Sequence, residues 1–250
     1  MTKANHKKID STPDEILSNY TGEAGMRYQN IANAVSKEAF ALVSLARRDK
    51  LQKYVKASDV VFEYGVGTGW NLSGLECRRR LGYDVCDHLE KNVTSNGIEY
   101  ISHAAKVADG SIDVVICHHV LEHLSDPVAA LHCMRRILKP GGRLLLFVPS
   151  EHEIRFRRFV ASDPNHHIFS WSCQSLGNLV SNCAFKVKIC REQTFGYEKL
   201  ASTVTAKLQC GRRLFRLLRQ LFHLVRHDKE IFLLAESPII HSPDLAGPVI

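Results

Sequence analysis

The chain has 250 residues, of which 45% are hydrophobic, and its formal net charge is +7 at pH 7. This length accommodates one full α/β domain with additional elements, whereas two independent domains would be small. No stretch approaches the roughly 18 apolar residues of a membrane-spanning helix, and the polar N-terminus lacks the apolar core of a signal peptide. The eight cysteines include no CxxC pair. These features argue against an integral membrane protein and against a disulfide or zinc-ribbon scaffold, and they predict a cytoplasmic location.

Helical spacing of apolar residues marks the first part of the chain. Residues 12–56 carry apolar side chains at intervals of three and four, and Gly22 and Gly25 interrupt the pattern early in this stretch. We therefore expect a helical cap over residues 1–58.

Short apolar runs alternate with helical segments over residues 59–150. The order is a strand, a glycine-rich loop, a short helix, and then further strands with helices between them. Such runs indicate a parallel sheet with helices on both faces. One helix is predicted to begin at Asp126-Pro127, an acidic N-cap with proline in the first turn, and to be closed by Lys139-Pro140-Gly141-Gly142.

The remainder of the chain falls into two parts. Residues 151–171 are polar and irregular, and we expect them to lie on the substrate side of the domain. Residues 172–250 are predicted to complete the sheet with a helix near 173–183, a strand, a long helix that ends near residue 226, and a last strand EIFLLAES.

The glycine-rich loop is the first indication of a ligand. Gly65, Gly67 and Gly69 follow a predicted strand, where glycine permits a tight turn and the close approach of a ligand. Trp70 stands where a dinucleotide-binding loop has glycine or alanine, and no Lys-Ser/Thr pair follows as in a phosphate-binding loop. Glu63 lies beneath the loop, where its carboxylate would repel a pyrophosphate and attract a cation. The glycines alone also fit a turn without a ligand, but the charge favours a cationic one.

A second acidic residue follows the next predicted strand. Asp84 lies 15 positions after Gly69, and a carboxylate at such a strand end can accept hydrogen bonds from both hydroxyls of a ribose. Val85 would then lie against the base. Asp87 is the rival for this role, and a surface acid without a ligand is the simplest alternative.

Four segments in this order resemble the motifs of the class I S-adenosylmethionine-dependent methyltransferases, in particular the group with an HVLEH segment. FEYGVGTG matches the first motif, GYDV the second, DGSIDVVICHHVLEHLSDP the fourth, and LKPGGRLLLFVP the fifth-strand segment. The family often has an acid after the third strand, whereas Ile101-Ser102-His103-Ala104 offers none. The resemblance therefore leaves adenine recognition at that point to backbone groups.

The resemblance implies a Rossmann-like α/β fold, with a seven-stranded, mostly parallel sheet, helices on both faces and an antiparallel last strand. It also implies S-adenosylmethionine as the cofactor. The residues expected to hold the cofactor belong to the glycine loop and to the strand ends after it: Glu63, Tyr64, Gly65, Val66, Gly67, Gly69, Asp84, Val85 and His118. DPNHHIFSW is similar to a segment of methyltransferases of bacterial surface-polysaccharide biosynthesis, which points to a saccharide or small-molecule acceptor.

Two pairs of adjacent histidines are the candidates for a general base. Residues 119–123, HVLEH, match the HxxEH pattern of a zinc protease, but that motif requires a helix and here it follows a strand directly. We therefore expect no metal ligands. Removing a proton from an acceptor hydroxyl calls for a pKa near neutrality, which histidine has. Of the four, His118, His119, His166 and His167, we expect His119 and His166 to be catalytic.

Positive charge is concentrated late in the chain. The predicted helix at 212–226 carries leucines and phenylalanines on one side and arginines on the other, which is typical of a helix packed on a sheet with its arginines in water. The pattern also fits peripheral contact with an anionic membrane. Clustered arginines on one helix do not favour nucleic acid as a partner, although an RNA methyltransferase is an alternative. A non-catalytic protein of the same fold that binds S-adenosylmethionine or a partner is another.

Overall fold

The computed structural model describes residues 18–33, 35–151, 158–160, 165–225 and 228–239. The strands are β1 (Val60–Tyr64), β2 (Arg79–Tyr83), β3 (Glu99–Ile101), β4 (Ile112–His118), β5 (Leu138–Pro149), β6 (Lys186–Thr194) and β7 (Lys229–Glu236). The α-helices are α1 (Gly22–Asn33), α2 (Lys37–Leu51), α3 (Glu90–Ser95), α4 (Pro127–Ile137), α5 (Cys173–Asn182), α6 (Glu198–Lys207) and α7 (Arg212–Val225).

The strands form one seven-stranded sheet in the order β3-β2-β1-β4-β5-β7-β6. β7 is antiparallel to both of its neighbours, whereas the pairs among the first five strands are parallel. The predicted fold class is therefore confirmed. The chain leaves β1 toward one edge of the sheet and returns at β4 toward the other, so the carboxyl ends of β1 and β4 flank the crevice where such sheets bind ligands.

Both faces of the sheet are buried. Val115 of β4 packs in one hydrophobic cluster with Leu131 of α4, whereas the next residue, Ile116, packs on the other face with Leu51 of α2 and Val93 of α3. Successive side chains of a strand point to opposite faces, so a strand covered on both sides is apolar throughout. This burial explains why the strands could be read from short apolar runs.

Helix α4 begins as predicted and ends differently. The Asp126 carboxylate accepts a hydrogen bond from the Ala129 amide at 2.8 Å, and Pro127 occupies the first turn. The segment 139–142, predicted to close the helix as a loop, is part of β5. Gly141 has φ of +75°, and the pairing of β5 with β4 shifts register here. The predicted turn is therefore an irregularity within β5 and does not interrupt the strand.

Two expectations about the first part of the chain differ from the structure. Residues 65–78 form turns without a helix, because Leu72 and Leu75 are buried and anchor the loop to the core. Gly22 and Gly25 lie within α1, and a Cβ on Gly25 would come within 2.2 Å of the Tyr20 carbonyl oxygen, so close packing, rather than a break in the helix, accounts for that glycine. The predicted cap before residue 18 lies outside the described residues.

The predicted long helix near the C-terminus is two helices, α6 and α7, and its expected last residue, 226, is not among the described ones. The buried contact of α7 in the described part of the chain is with helices and not with the sheet. Its buried Phe215 instead contacts Ala46 of α2 and Ala201 of α6. No helix in the described part of the chain is both long and apolar enough to cross a bilayer.

The N-cap of α4 provides a test of this local structure. Asp126→Ala removes the acceptor for the Ala129 amide, and we expect it to lower the free energy of unfolding by about 1 kcal/mol. Asp126→Asn keeps an acceptor oxygen and serves as the matched control. Urea denaturation followed by circular dichroism measures both, and equal stability of the two variants would contradict the capping role.

Candidate active site

A cavity of about 1010 Å³ opens over the carboxyl ends of β1, β2 and β4. Its walls come from α1, α2, the glycine loop, the residues after β2 and β4, and the segment around the start of α6. The sequence-predicted residues among its walls are Tyr64, Gly65, Val66, Gly67, Asp84, Val85, His118 and His119. The structure thus brings most of the predicted site together, but Glu63, Gly69 and His166 are not among the wall residues.

The three glycines of the loop have positive φ, but they differ in surroundings. A Cβ on Gly65 would lie 2.2 Å from a methyl group of Val120, and one on Gly69 would lie 2.6 Å from a methyl group of Ile98. A Cβ on Gly67 would meet nothing within 4 Å. Gly65 and Gly69 are therefore packing glycines, whereas Gly67 is the point at which a ligand can approach the backbone.

Asp84 lies directly after β2, as predicted, and it is buried in the cavity wall. One carboxylate oxygen accepts a hydrogen bond from the Gly67 amide at 2.8 Å, and the other accepts from the Cys86 amide at 3.0 Å. The two oxygens together can accept about four hydrogen bonds, so the carboxylate keeps capacity for a ligand hydroxyl. Burial raises the pKa of Asp84, and the backbone donors oppose that rise. The rival, Asp87, is exposed.

Glu63 lies beneath the loop and contacts the side chain of Asn71. It is 1% exposed, and one carboxylate oxygen accepts a hydrogen bond from the side-chain amide of Asn71 at 2.5 Å. The other oxygen has no hydrogen-bond partner among the described residues. Burial raises the pKa of Glu63 to about 8. Asn71 lines the cavity, so the hydrogen bond links buried Glu63 to the cavity wall.

A network of buried charges, which the sequence did not predict, adjoins the cavity. Lys50 of α2 pairs with Glu230 of β7, whose side chain has no exposed area, and Arg47 of α2 lies 3.7 Å from Glu198 of α6. Arg47 lines the cavity, and its Nε has no hydrogen-bond partner among the described residues. The Nε atom itself is buried, so Arg47 acts on the cavity through its charge, which favours an anionic group there. The sequence contains one indication of this burial: Arg47 follows Val43 by four residues, so the two lie on the same, buried face of α2.

His118 is the last residue of β4, and two cationic side chains contact its Nε2 atom. Its Nε2 lies 2.5 Å from Nη1 of Arg47 and 3.1 Å from Nζ of Lys50. Both neighbours are donors, so Nε2 accepts, and protonation there would place three cations together. Burial, with Lys50 and Arg47 adding to it, holds the pKa of His118 well below its usual value. This histidine is not placed to take up a proton.

His119 stacks on the His118 ring, with centroids 4.5 Å apart, but faces a different partner. Its Nε2 lies 3.2 Å from an oxygen of Glu230. Burial opposes ionisation of Glu230, yet Lys50 and the bond from His119 lower the pKa of that carboxyl to about 2. An ionised carboxylate only accepts, so the proton of His119 is on Nε2 and Nδ1 is the basic nitrogen. Burial lowers the pKa of His119 despite Glu230.

The other histidines lie in a different part of the site. His166 is exposed, whereas His167 pairs through Nδ1 with Glu151. His123 lines the cavity, with its Nδ1 2.8 Å from the hydroxyl of Tyr20. Residues 121–123 form a single 3-10 turn, as the sequence suggested, so His119 and His123 do not share one face of a helix. The geometry of an HxxEH protease motif is therefore not formed.

A sequence profile for a methyltransferase domain matches residues 36–188, which is more than half of the chain. The chain belongs to this methyltransferase family. Members of the family use S-adenosylmethionine, as the resemblance of the four motifs implied.

Two curated relatives of this methyltransferase chain match it over part of their length. An uncharacterized 37.1 kDa protein in transposon TN4556 of Streptomyces fradiae is 47% identical, over 47% of this chain and 40% of that protein. The ubiquinone biosynthesis O-methyltransferase of Xanthomonas oryzae pv. oryzae is 41% identical, over 32% of this chain and 40% of that protein. The chain thus spans about 40% of the length of these relatives.

Among solved structures, phosphoethanolamine N-methyltransferase 2 of Haemonchus contortus, in complex with S-adenosyl-L-methionine, matches with a TM-score of 0.57. The match covers 91% of this chain and 61% of that chain at 16% identity. This degree of likeness shows that the two share a fold.

The donors and acceptors of the cavity fit the charges of S-adenosylmethionine. Asp84 offers acceptors for a ribose, Gly67 leaves space for the chain of the cofactor, and Arg47 places a positive charge in the wall that suits a carboxylate. The carboxylate of Glu63 suits a nearby cation, and binding of that cation would favour its ionised form.

Asp84 provides the test of this placement. Asp84→Ala is expected to weaken the binding of S-adenosylhomocysteine by about 1.5–3 kcal/mol, the scale of hydrogen bonds to a charged group. Asp87→Ala, an exposed acid three positions on, should leave affinity within about twofold, well under 1.4 kcal/mol. Titration calorimetry measures both, with thermal unfolding to separate loss of affinity from loss of the Gly67 contact. Weaker binding in the Asp87 variant alone would reverse the assignment.

Proposed function

We propose that the chain transfers the methyl group of S-adenosylmethionine to a hydroxyl oxygen of a small-molecule or saccharide acceptor, with His119 as general base. The observation that carries this proposal is the contact, at 3.2 Å, between His119 in the cavity wall and the buried, ionised carboxylate of Glu230. The pair combines a neutral imidazole with a carboxylate that fixes its tautomer, which is how a histidine base is oriented in other enzymes.

The chemistry divides between cofactor and chain. When bound, S-adenosylmethionine supplies a methyl group on a positively charged sulfur; the oxygen–carbon bond forms as the sulfur–carbon bond breaks, and a neutral thioether leaves. His119 takes the proton of the attacking hydroxyl on Nδ1, and Glu230 stabilises the resulting imidazolium through Nε2. Positioning and proton removal supply the catalysis in such an in-line transfer, so the proposed step uses no metal.

The structure favours His119 over the other candidate base, His166. His119 lines the cavity at the end of β4, whereas His166 is exposed and outside the cavity walls. His119 also differs from His118, because Arg47 and Lys50 occupy the accepting nitrogen of His118.

The class of acceptor rests on three observations. The cavity volume of about 1010 Å³ is at the upper end of the range for ligand pockets, which suits a cofactor together with an acceptor. The Xanthomonas relative is named an O-methyltransferase, which supports oxygen as the acceptor atom. The similarity of DPNHHIFSW to surface-polysaccharide methyltransferases supports a saccharide.

Replacement of the base tests the mechanism. His119→Gln should lower turnover roughly a hundredfold or more while affinity for S-adenosylhomocysteine stays unchanged. Because burial lowers the pKa of His119, the base is neutral at pH 7, and the rate of the wild type should fall only below pH 6.5. Formation of S-adenosylhomocysteine over a panel of sugar, lipid, small-acid and RNA acceptors provides the assay.

His166→Gln and His132→Gln, both at exposed positions, are the comparison variants for His119→Gln. A hundredfold loss in the His166 variant with an active His119 variant would move the base to the segment after residue 164. Methylation of RNA alone would replace the saccharide assignment. Binding of the cofactor without turnover on any acceptor would favour a non-catalytic protein.

We also propose that α7 contacts an anionic membrane surface, with Leu217, Leu221 and Leu224 as a leucine ridge. These three side chains are 51%, 46% and 73% exposed and recur at i, i+4 and i+7, so they form one continuous stripe. Arg212 and Arg213 at the start of the helix are exposed and have no acidic partner among the described residues. An apolar stripe beside unpaired arginines is complementary to acidic headgroups over acyl chains.

Vesicle sedimentation tests the leucine ridge. The wild type should bind vesicles of phosphatidylglycerol and phosphatidylcholine more tightly than phosphatidylcholine alone, and Leu217→Ser with Leu221→Ser should reduce binding at least tenfold. Val128→Ser, an exposed apolar residue on α4, is the control. Equal binding of all variants, or dimerisation through the leucine ridge in analytical ultracentrifugation, would contradict membrane contact.

A further inference from the structure

A second group of metal-ligand side chains lies behind the cavity wall, apart from the proposed base. It consists of Glu122 and His123, from the 3-10 turn after β4, and His167 from the segment that follows residue 164. One ligand atom from each residue lies within 4.8 Å of the others, and an oxygen of Glu122 is 3.8 Å from Nε2 of His123. Only His123 of the three contacts the cavity.

The Glu122 carboxylate requires a partner that the described residues do not supply. Its side chain is 1% exposed, and neither carboxylate oxygen has a hydrogen-bond partner among the described residues. A buried carboxyl group without a hydrogen bond is costly, so buried carboxylates are usually paired or bound to a metal.

Hydrogen bonds from Nδ1 hold both imidazoles in place beside Glu122. The Tyr20 hydroxyl donates to the carbonyl oxygen of Asn165 at 2.7 Å, so its oxygen accepts from Nδ1 of His123. Nε2 of His123 is thereby left on the side of Glu122. Glu151 accepts from Nδ1 of His167. Histidine ligands of metals are commonly held in this way, by an outer carboxylate or other acceptor on the second ring nitrogen.

The charge around the group favours a cation. Glu151 pairs with His167, so its carboxylate lies next to the group. The two carboxylates nearest to this group, Glu122 and Glu151, match the charge of a divalent ion.

His118, His119 and Glu230 have a similar ligand geometry but the opposite electrostatics. Lys50 and Arg47 lie against this group and already balance Glu230, so they would repel a metal ion.

We propose that Glu122, His123 and His167 bind one zinc ion. Two imidazole nitrogens and a carboxylate oxygen are a known zinc ligand set, with water in the fourth position. Ligand atoms around tetrahedral zinc lie about 3.4 Å apart, so the present separations, all within 4.8 Å, would shorten by up to about 1.4 Å on binding. The amides of Ile168 and Phe169 already donate to the carbonyl oxygen of Glu122, at 3.0 and 3.2 Å. The ion would therefore fasten this segment to the turn beside the cavity.

Zinc binding by the full chain is the experiment. Protein stripped with EDTA and dialysed against ZnCl₂ should retain one zinc per chain and unfold at a higher temperature. His167→Gln should lose at least tenfold in zinc affinity, and Glu151→Gln roughly 10- to 100-fold through the outer contact. Cobalt(II) in place of zinc should give a spectrum without a sulfur-to-metal charge-transfer band, which excludes binding by the cysteines.

His119→Gln and His166→Gln are the matched controls, and both should bind zinc like the wild type. Retained S-adenosylhomocysteine binding by each variant establishes that it is folded. Absence of zinc from the wild type overturns the proposal, as does loss of zinc in the His119 variant with retention in the His167 variant. Loss of zinc without loss of methyl transfer leaves the proposed function intact, so the two inferences fail separately.

Discussion

A carboxylate with no exposed area, that of Glu230, is the interaction on which the rest of the site depends. It accepts from Lys50 of α2, from Gln193 of β6 and from His119 after β4. These contacts join three separate parts of the fold, namely α2, the edge strand β6 and the turn after β4. A buried charge that loses a partner costs several kcal/mol, so the elements around Glu230 are expected to stay together as one unit.

Because of this arrangement, two adjacent histidines lie in different electrostatic environments. His118 and His119 stack on each other, yet their partners carry opposite charges. His118 accepts a hydrogen bond from cationic Arg47, whereas His119 donates one to the Glu230 carboxylate. The left-handed backbone of His119, with φ of +56°, turns the chain between them. A non-glycine residue in this conformation carries strain, which is commonly retained where a side chain must be held in a functional position.

The parts of the structure that were predictable from sequence are those whose cause is local. The buried strands, the glycine loop, the position of Asp84 and the N-cap at Asp126 each follow from a few neighbouring residues. The loop at 65–78 was wrongly expected to contain a helix, because the burial of Leu72 and Leu75 depends on the other elements of the sheet.

The least predictable parts were the contacts between distant segments. Glu230 and His119 are 111 positions apart in sequence, and Lys50 and Glu230 are 180 positions apart. No pattern within one segment distinguishes His119 from His118, since the distinction arises from residues on α2 and β7. In the same way, Glu122 and His123 matched a motif whose helix is not formed, and their nearness to His167 results from folding of the chain after residue 164.

The antiparallel pairing of β7 has a consequence for sequence change in this family member. Glu230 lies opposite Pro149, and the next residue, Ile231, packs into the hydrophobic cluster on the other face of the sheet. Because strand side chains alternate, a shift of β7 by one residue would exchange these two positions. An insertion or deletion that slipped this strand by one residue would place a carboxylate in the hydrophobic core and an isoleucine beside His119. Insertions and deletions just before β7 are therefore restricted by the contact between Glu230 and His119, and not only by the packing of the sheet.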